Sequence, residues 1–353
     1  MVSLAEVLRR HWPQYERQFG ARIPESHRQA VRAILQCRTA ALGGEVYRCA
    51  DCERDHFVYH SCNHRACPQC GQAEATEWIE QQQARLLPVP YYLITFTVPA
   101  GLRGWLRSHQ LQGYSCLLQA SAGALQDVAA RPKYLGAELG FLSVLHTWGR
   151  QLQYHPHVHC VVAAGGLRAD GLRWCRPRSP EFFLPQRVLA ARFRTRLQAA
   201  LAAHPQASSI PARVWRQDWV VDVQAVGSGQ AVLKYLAAYV YRTALGAQRI
   251  VGDDREQITF KYKDSQDRQW HRLRLPAREF IRRRLQHVLP KGFQRVRYYG
   301  WRAAAARRKQ ERIRALLDWQ TPIPRSETPQ PQAVCAQCGA PLLWVATFIR
   351  GPP

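Results

Sequence analysis

Two cysteine pairs within 22 residues limit how the N-terminal part of this chain can fold. Cys49 and Cys52 form one Cys-x2-Cys pair, and Cys67 and Cys70 form another, 14 residues further along. So short a segment cannot build an apolar core of its own, but a zinc ion bound by four thiolates can hold it together. We therefore expect these four cysteines to bind one structural Zn²⁺ ion.

Other potential metal ligands lie near these pairs, and the sequence leaves their roles open. Cys62 and His64 fall between the pairs and could replace a cysteine or bind a second ion. Cys37 and His56 are weaker candidates. Spacing alone does not decide which of these side chains contacts a metal.

Cysteine use also bears on where the protein works. The chain has 11 cysteines, and its N-terminus reads as a helix start rather than a signal peptide, with Ser3 and Glu6 spaced as a capping box. These features favour a reducing, cytoplasmic environment in which cysteine binds metal. A third pair, Cys335 and Cys338, could be completed by another segment or another chain, or could belong to a free tail.

Arginine dominates the charge of this chain. Lysine and arginine total 50 against 25 acidic residues, a formal charge of +25, and only six of the 50 are lysine. A guanidinium group binds phosphate through two parallel hydrogen bonds and stacks on bases, so this composition favours a nucleic acid as partner. The longest uncharged stretch, residues 86–102, contains three prolines and is short for a membrane span, so we expect no membrane association.

A basic tract at residues 278–314 carries aromatic side chains between its arginines. Such a mixture suits single-stranded DNA, because cations bind phosphates and rings stack on bases. The rings are Phe280, Phe293, Tyr298, Tyr299 and Trp301. In the segment "EFIRRRLQHVL", we expect a helix that packs Phe280, Ile281, Leu285 and Leu289 into a core and turns its arginines to DNA. The candidate DNA contacts are Arg242, Arg282, Arg283, Arg284 and Lys291.

The order of the predicted elements favours an α+β fold with one main sheet. Predicted helices cover residues 1–36, 72–87, 104–130, 186–203 and 230–245, and predicted strands cover residues 91–98, 139–148, 154–164 and 213–226. We expect four regions: a helical, zinc-binding DNA-recognition domain (1–87), a catalytic domain (88–250), a basic helical DNA-binding region (251–320), and a proline-rich linker with the Cys-x2-Cys tail (321–353).

Three histidines alternate in the stretch "YHPHVHCVVAAGG", residues 154–166. His155, His157 and His159 stand at every second position, just before an apolar run. Alternate residues of a strand share one face, so these imidazoles can converge on one metal ion. The alternative is a polar strand end with hydrated histidines.

Two tyrosines four residues apart lie in the helix predicted at residues 230–245. Tyr235 and Tyr239 share one helical face, which could simply pack against a core. A tyrosine hydroxyl can also attack a DNA phosphodiester and retain it as a phosphotyrosine. A divalent ion bound by the nearby histidines would assist, because it polarises the phosphate and neutralises charge on the leaving oxygen.

These motifs resemble those of a known group of enzymes. His157-Val158-His159 resembles the His-hydrophobic-His (HUH) motif of rolling-circle nucleases, and Tyr235-x3-Tyr239 resembles their paired-tyrosine motif. The resemblance is closer still to bacterial rolling-circle transposases of the insertion-sequence ninety-one type. It covers most of the chain, in the family's order, through "CRTAALGGEVYRC", "SCNHRACPQC", "LITFTVP", "LHTWGRQLQYHPHVHCVV", "LKYLAAYVYRTAL" and "EFIRRRLQHVLPKGFQRVRYYG".

The resemblance implies a fold and an activity. It implies an HUH endonuclease-like domain, in which helices flank a central antiparallel sheet and the metal-binding strand lies beneath the tyrosine helix. It implies a bacterial enzyme that nicks single-stranded DNA at transposon ends, holds the 5′ end on Tyr235 or Tyr239, and leaves a free 3′-OH. Which tyrosine acts first, which sequence is cut, and how many chains assemble stay open.

The resemblance also implies a catalytic Mg²⁺ or Mn²⁺ ion at His157 and His159. The third ligand stays open between His155, His146 and Gln151. Two departures from the family concern zinc: His64 does not stand next to the following cysteine, and Glu45 stands where a histidine is common. The first weakens His64 as a ligand, and the second weakens the case for a second zinc ion.

Three other functions compete with transposition. A histidine-triad nucleotide hydrolase would match residues 155–162, but such folds are small and need neither zinc-binding cysteine pairs nor a charge of +25. A non-catalytic zinc protein that binds DNA would use the histidines and tyrosines only for packing. A rolling-circle replication initiator or relaxase would share the chemistry, and the DNA beside the gene would distinguish it.

Overall fold

The computed structural model of the protein describes residues 2–179, 182–233, 244–264, 266–320 and 333–349. Backbone contacts divide the chain into two units. The first unit combines Met1–Glu74, Tyr241–Val288 and Ile323–Pro353, and the second combines Ala75–Val240 and Leu289–Pro322. Each unit therefore draws on segments that are distant in sequence.

The helices and strands follow the sequence pattern closely in the first two thirds of the chain. The helices are α1 (Leu4–Phe19), α2 (Glu25–Gln36), α3 (Gln72–Gln83), α4 (Ala100–Ser108), α5 (Gln110–Ala129), α6 (Gln186–Ala202), α7 (Arg213–Arg216), α8 (Ala277–Leu285) and α9 (Arg307–Leu316). The strands are β1 (Gly44–Cys49), β2 (Asp55–Tyr59), β3 (Tyr91–Thr97), β4 (Gly140–Trp148), β5 (Tyr154–Ala163), β6 (Gly166–Leu167), β7 (Trp174–Cys175), β8 (Val220–Ala225), β9 (Ile250–Asp253), β10 (Gln257–Lys263), β11 (Trp270–Pro276), β12 (Val296–Gly300) and β13 (Leu342–Phe348).

The expected capping box at the start of α1 is confirmed. The Ser3 hydroxyl accepts a hydrogen bond from the Glu6 N–H, and the Glu6 carboxylate accepts one from the Ser3 N–H. Two N–H groups that lack helical partners are satisfied in this way, which defines where the chain enters the helix.

The second unit is built on a five-stranded antiparallel sheet in the order β12-β4-β5-β3-β8. One face of the sheet carries Ile94, Phe96, Val158 and Val162, and α5 and α6 pack on it to form the main core. The side chains of β4 and β5 are buried on both faces, which explains why these strands read as nearly continuous apolar runs. The mixed α/β fold with antiparallel sheets agrees with the expected class.

The basic region at residues 251–320 is only partly helical, because it contains four strands besides α8 and α9. β9, β10 and β11 form a three-stranded antiparallel sheet, and β12 joins the edge of the five-stranded sheet. The reason is the alternation in "QITFKYK", where Ile258 and Phe260 are buried and their neighbours are not. The predicted strand at residues 213–226 likewise begins with a short helix, α7.

Helix α8 lies in the first unit, where it contacts α1. Phe280, Ile281 and Leu285 are buried, as expected, and so is Leu289 just beyond the helix. Other rings of the basic tract that were expected to stack on DNA bases pack inside the protein. Phe293 and Trp301 are buried, and Tyr299 stacks on Phe141 with ring centroids 5.4 Å apart. Rings that complete a core cannot stack on bases, so the prediction that Phe293 and Trp301 bind DNA is wrong.

A smaller sheet with the order β13-β1-β2 brings the two ends of the sequence together within the first unit. Gly44 pairs with Phe348 and Cys49 pairs with Leu342 in an antiparallel ladder. Along the described part of the chain, no helix is long and apolar enough to cross a membrane.

Gly300 provides a test of the central sheet. Its φ is +59°, and a Cβ atom there would lie 1.7 Å from the Leu139 carbonyl oxygen. Gly300→Ala should therefore lower the free energy of unfolding by at least about 3 kcal/mol, through backbone strain and steric overlap together. Gly171 is the matched control, because its φ is +71° and nothing lies within 4 Å of its Cβ position. Gly171→Ala should cost only about 1–2 kcal/mol. Equal losses in urea unfolding would contradict the packing described for β12.

Candidate functional site

Three histidines converge on one face of the five-stranded sheet. His157 and His159 stand two residues apart on β5, and the pairing of β5 with β4 places His146 opposite His157. The ring centroids are 4.8 Å apart for His157 and His159, 5.2 Å for His146 and His157, and 4.4 Å for His146 and His159. One ligand nitrogen from each ring lies within 4.8 Å of the others, so the three can share one ion.

Hydrogen bonds on the far side of two rings orient them. The Nδ1–H of His157 donates to the His155 carbonyl oxygen at 2.6 Å, which leaves the Nε2 lone pair of a neutral ring available. Nδ1 of His159 lies 2.9 Å from Oγ1 of Thr95, which is paired with His159 in the ladder between β3 and β5. Partners of this kind hold metal-binding imidazoles in one tautomer and one orientation.

The electrostatics of the three histidines also suit a metal. Burial lowers the pKa of His157 to about 4 and holds the pKa values of His146 and His159 well below the ordinary range. All three rings are therefore neutral at pH 7 and can donate a lone pair. Three buried neutral imidazoles fit a divalent transition-metal ion.

The structure brings His146 to this group, among the three residues considered as a third ligand. His155 contributes its backbone carbonyl oxygen to His157. Gln151 lies in the turn between β4 and β5, where its N–H donates to the side-chain carbonyl oxygen of Gln153 at 3.0 Å. His146 could have been chosen over the other two from the sequence only by pairing β4 with β5 in the correct register, because ten residues separate it from His157.

The other expected catalytic residues cannot be compared with this geometry. Tyr235 and Tyr239 lie outside the described residues, and so do Tyr241 and Arg242. Their place relative to the histidines therefore remains a prediction from the sequence.

A first group of four cysteines lies around the end of α2. It consists of Cys37, Cys62, Cys67 and Cys70, whose sulfur atoms lie within 4.8 Å of one another. Sγ of Cys70 is 3.5 Å from that of Cys37 and 3.6 Å from that of Cys62. Four thiolates around a tetrahedral zinc ion are about 3.8 Å apart, so the group fits Zn²⁺. Burial raises the pKa of Cys37 to about 11, and a bound cation would offset that cost.

A second group of four cysteines joins β1 to the C-terminal segment. It consists of Cys49, Cys52, Cys335 and Cys338, again with all sulfur atoms within 4.8 Å of one another. The Sγ–Sγ distance is 3.3 Å for Cys49 and Cys338 and 3.8 Å for Cys52 and Cys335. The third Cys-x2-Cys pair is therefore completed by another segment of the same chain.

The expected single site of Cys49, Cys52, Cys67 and Cys70 is wrong in its grouping, because the structure assigns the two pairs to different groups. The physical reason is the hairpin of β1 and β2, which carries one pair away from α2 while the loop after β2 returns the other pair to it. Cys62, which was an open candidate from the sequence, and Cys37, which was a weaker one, are both group members. His64 is not a member, and its Nδ1 accepts a hydrogen bond from the Ala66 N–H at 3.1 Å.

The candidate DNA contacts differ in exposure. Arg282 and Arg283 both donate to the Glu279 carboxylate, and Lys291 is exposed. Arg284 is only 4% exposed, and its Nη2 donates to the Ala66 carbonyl oxygen at 2.6 Å. Burial lowers the pKa of Arg284 to about 10. The prediction that Arg284 contacts DNA is therefore wrong, because its position on α8 points into the first unit.

Comparisons with known proteins show which family the chain resembles. Residues 7–98 match a family model described as "Transposase zinc-binding domain", and residues 140–311 match one described as "Putative transposase". The chain is 36% identical to "Putative transposase y4qJ" of Sinorhizobium fredii, over 94% of this chain and 87% of that protein. It is 26% identical to "Transposase for insertion sequence element IS801" of Pseudomonas savastanoi pv. phaseolicola, over 91% of this chain and 83% of that protein. No solved structure matches.

The first cysteine group lies wholly inside the matched zinc-binding domain, which allows a direct test of its membership. Cys62→Ser should remove one zinc ion per chain, because a hydroxyl is a far weaker zinc ligand than a thiolate. His64→Ala should leave the zinc content unchanged, since His64 bonds to the backbone instead. Atomic emission analysis of the purified chains measures both. Zinc loss from the His64 variant alone would contradict the grouping.

Proposed function

Because this chain belongs to the transposases of the insertion-sequence ninety-one type, we propose that it nicks and rejoins single-stranded DNA through a 5′-phosphotyrosine, as in rolling-circle transposition. The single observation that carries the proposal is the buried group of His146, His157 and His159. DNA binding alone does not require three neutral imidazoles close enough to share one ion. Within this proposal, the five-stranded sheet is the core of an HUH domain.

The metal is the first element of the proposed chemistry. A divalent ion bound by the three histidines would supply Lewis acidity, polarising the scissile phosphate and neutralising charge on the leaving oxygen. Of Mg²⁺ and Mn²⁺, we propose Mn²⁺, because Mg²⁺ prefers oxygen ligands whereas imidazoles bind transition metals. Thr95 and the carbonyl of His155 keep the rings of His159 and His157 in place for this role.

The nucleophile is the second element. In the proposed step, the hydroxyl oxygen of Tyr235 or Tyr239 forms a bond to phosphorus while the bond from phosphorus to the 3′ oxygen breaks. The phenol proton passes to water, and the 3′ oxygen leaves as a hydroxyl group after taking up a proton. The phosphodiester is conserved as a phosphotyrosine, so the reverse reaction with a 3′-OH rejoins DNA without another source of energy. The second tyrosine would serve the transfer of the other strand.

Arg103 is a third element, and the sequence motifs did not point to it. It lies on α4, directly after β3, and its positive charge adds to the effect of burial in lowering the pKa values of His155 and His157. Its Nε is buried and has no hydrogen-bond partner among the described residues. We propose that Arg103 binds a non-bridging oxygen of the scissile phosphate, next to the metal.

Within the same proposal, DNA binding rests on many arginines and catalysis rests on few residues. Arg282, Arg283 and Lys291 would contact the phosphate backbone of the DNA. A replication initiator or relaxase would use the same chemistry, but the similarity to two transposases favours transposition over replication.

The central experiment incubates the full chain with labelled single-stranded DNA and Mn²⁺ and measures nicking and the covalent adduct. His157→Ala should reduce nicking at least about 100-fold, because Lewis-acid stabilisation is worth several kcal/mol in the transition state, while DNA affinity changes little. The double variant Tyr235→Phe/Tyr239→Phe should form no adduct but should still bind metal, because it lacks only the two hydroxyl groups.

His271→Ala is the matched control for the histidine variant, since His271 is an exposed imidazole on β11. Normal nicking by His157→Ala would mean that the histidines are structural. An adduct formed by the double phenylalanine variant would exclude both tyrosines and would make Tyr241 the next candidate.

Arg103 can be tested separately from the metal. Arg103→Gln should slow nicking at least about tenfold, because a charge-assisted hydrogen bond to phosphate contributes about 1.5–3 kcal/mol. Arg216→Gln is the control, because Arg216 is an exposed arginine on α7. Single-turnover rates at saturating DNA measure the effect without the contribution of binding. Equal rates for the two variants would show that Arg103 does not contact the reacting phosphate.

A further inference from the structure

The second cysteine group lies only partly inside the region that matches the zinc-binding domain. Cys49 and Cys52 fall within residues 7–98, whereas Cys335 and Cys338 lie far beyond that region. We propose that these four cysteines bind a second zinc ion, which fastens the C-terminal segment to the hairpin of β1 and β2. This site does not depend on the function proposed above.

The sulfur positions fit a tetrahedral ion rather than disulfide bonds. The Sγ–Sγ distances of 3.3 and 3.8 Å are close to the spacing of about 3.8 Å between thiolates around zinc. A disulfide would need sulfur atoms about 2.05 Å apart. The Sγ atoms of all four cysteines lie within 4.8 Å of one another, so they surround one point instead of forming two separate pairs.

The two turns that supply the ligands have the same backbone design. The N–H of Cys49 donates to the carbonyl of Arg54 at 2.9 Å, and the N–H of Cys335 donates to the carbonyl of Ala340 at 2.8 Å, five residues on in both cases. The residue after the second cysteine has a positive φ in each turn, +54° at Glu53 and +76° at Gly339. Two distant segments thus adopt one conformation, with their thiols facing each other.

The turn conformation also aims an N–H group at a sulfur atom. The N–H of Cys52 donates to Sγ of Cys49 at 3.5 Å. His56 lies outside the group, with its Nε2 3.4 Å from Sγ of Cys335, where an N–H can support a metal-bound thiolate.

Strand β13 buries too little to be held by packing alone. Leu343, Trp344 and Val345 on this strand are 55%, 61% and 45% exposed. The buried contacts near its start are the cysteine group itself, with Ala340 and partly buried Leu342. Closing a loop of more than 280 residues costs entropy, and a metal link offsets that cost where apolar burial is small.

The test counts zinc ions in the full-length chain and compares variants. Cys335→Ser/Cys338→Ser should contain one zinc ion fewer than the wild-type chain, and so should Cys49→Ser/Cys52→Ser. The variant with all four substitutions should also lack only one, because both pairs serve the same ion. Cys175→Ser is the control, because Cys175 lies on β7, outside both groups. This substitution should leave the zinc content unchanged.

A second measurement tests whether the ion holds β13 against the hairpin of β1 and β2. Hydrogen exchange of the β13 amides should become at least about tenfold faster in Cys335→Ser/Cys338→Ser, because the strand opens without the ion. Unchanged zinc content in that variant would overturn the proposal, as would loss of two ions from the fourfold variant. If the hairpin variants do not fold, the tail variant alone decides, since its substitutions lie in the C-terminal segment.

Discussion

The antiparallel pairing of β4 with β5 is the constraint on which the candidate catalytic site depends. A histidine pair on one strand supplies two nitrogens at most, and the third comes from His146 only because it stands opposite His157 in this register. A shift of one residue would turn His146 to the other face of the sheet, where the core lies. The packing of β4 and β5 on both faces opposes such a shift and so holds the three imidazoles close together.

Local patterns predicted much of the local structure, although the alternation in β10 was missed. The capping box of Ser3 and Glu6, the strands β3, β4 and β5, and the shared face of His157 and His159 are cases in which one segment contained the whole signal. Groupings that need two distant segments were not predictable: His146 depends on register, and the partners of Cys49 depend on a strand near the other end of the chain. The prediction that Arg284 contacts DNA was wrong for a related reason. A pattern of charges does not show which arginine of a helix faces a buried carbonyl group, as Arg284 faces that of Ala66.

The two cysteine groups show why the spacing of the Cys-x2-Cys pairs predicted the wrong set of ligands. Both Cys-x2-Cys pairs of the N-terminal region do reach a four-cysteine group, so the residue types pointed to the correct chemistry. The pairs are separated in space because a hairpin stands between them, and each recruits ligands that look isolated in the sequence, such as Cys37 and Cys62. The residue types therefore indicated that cysteines bind metal, but only the fold shows which cysteines belong to which group.

The pairing of β1 with β13 has a consequence for the order in which the molecule is made. β1 leaves the ribosome early, and its partner is encoded near the other end of the sequence. At about 5–20 residues per second, an edge of β1 waits on the order of 15–60 s for its neighbour. An unpaired edge can accept a strand from another molecule in that interval. The first unit can complete this sheet only after translation has passed β13. Until then, the unpaired edge of β1 in each newly made chain can pair with a strand of another molecule.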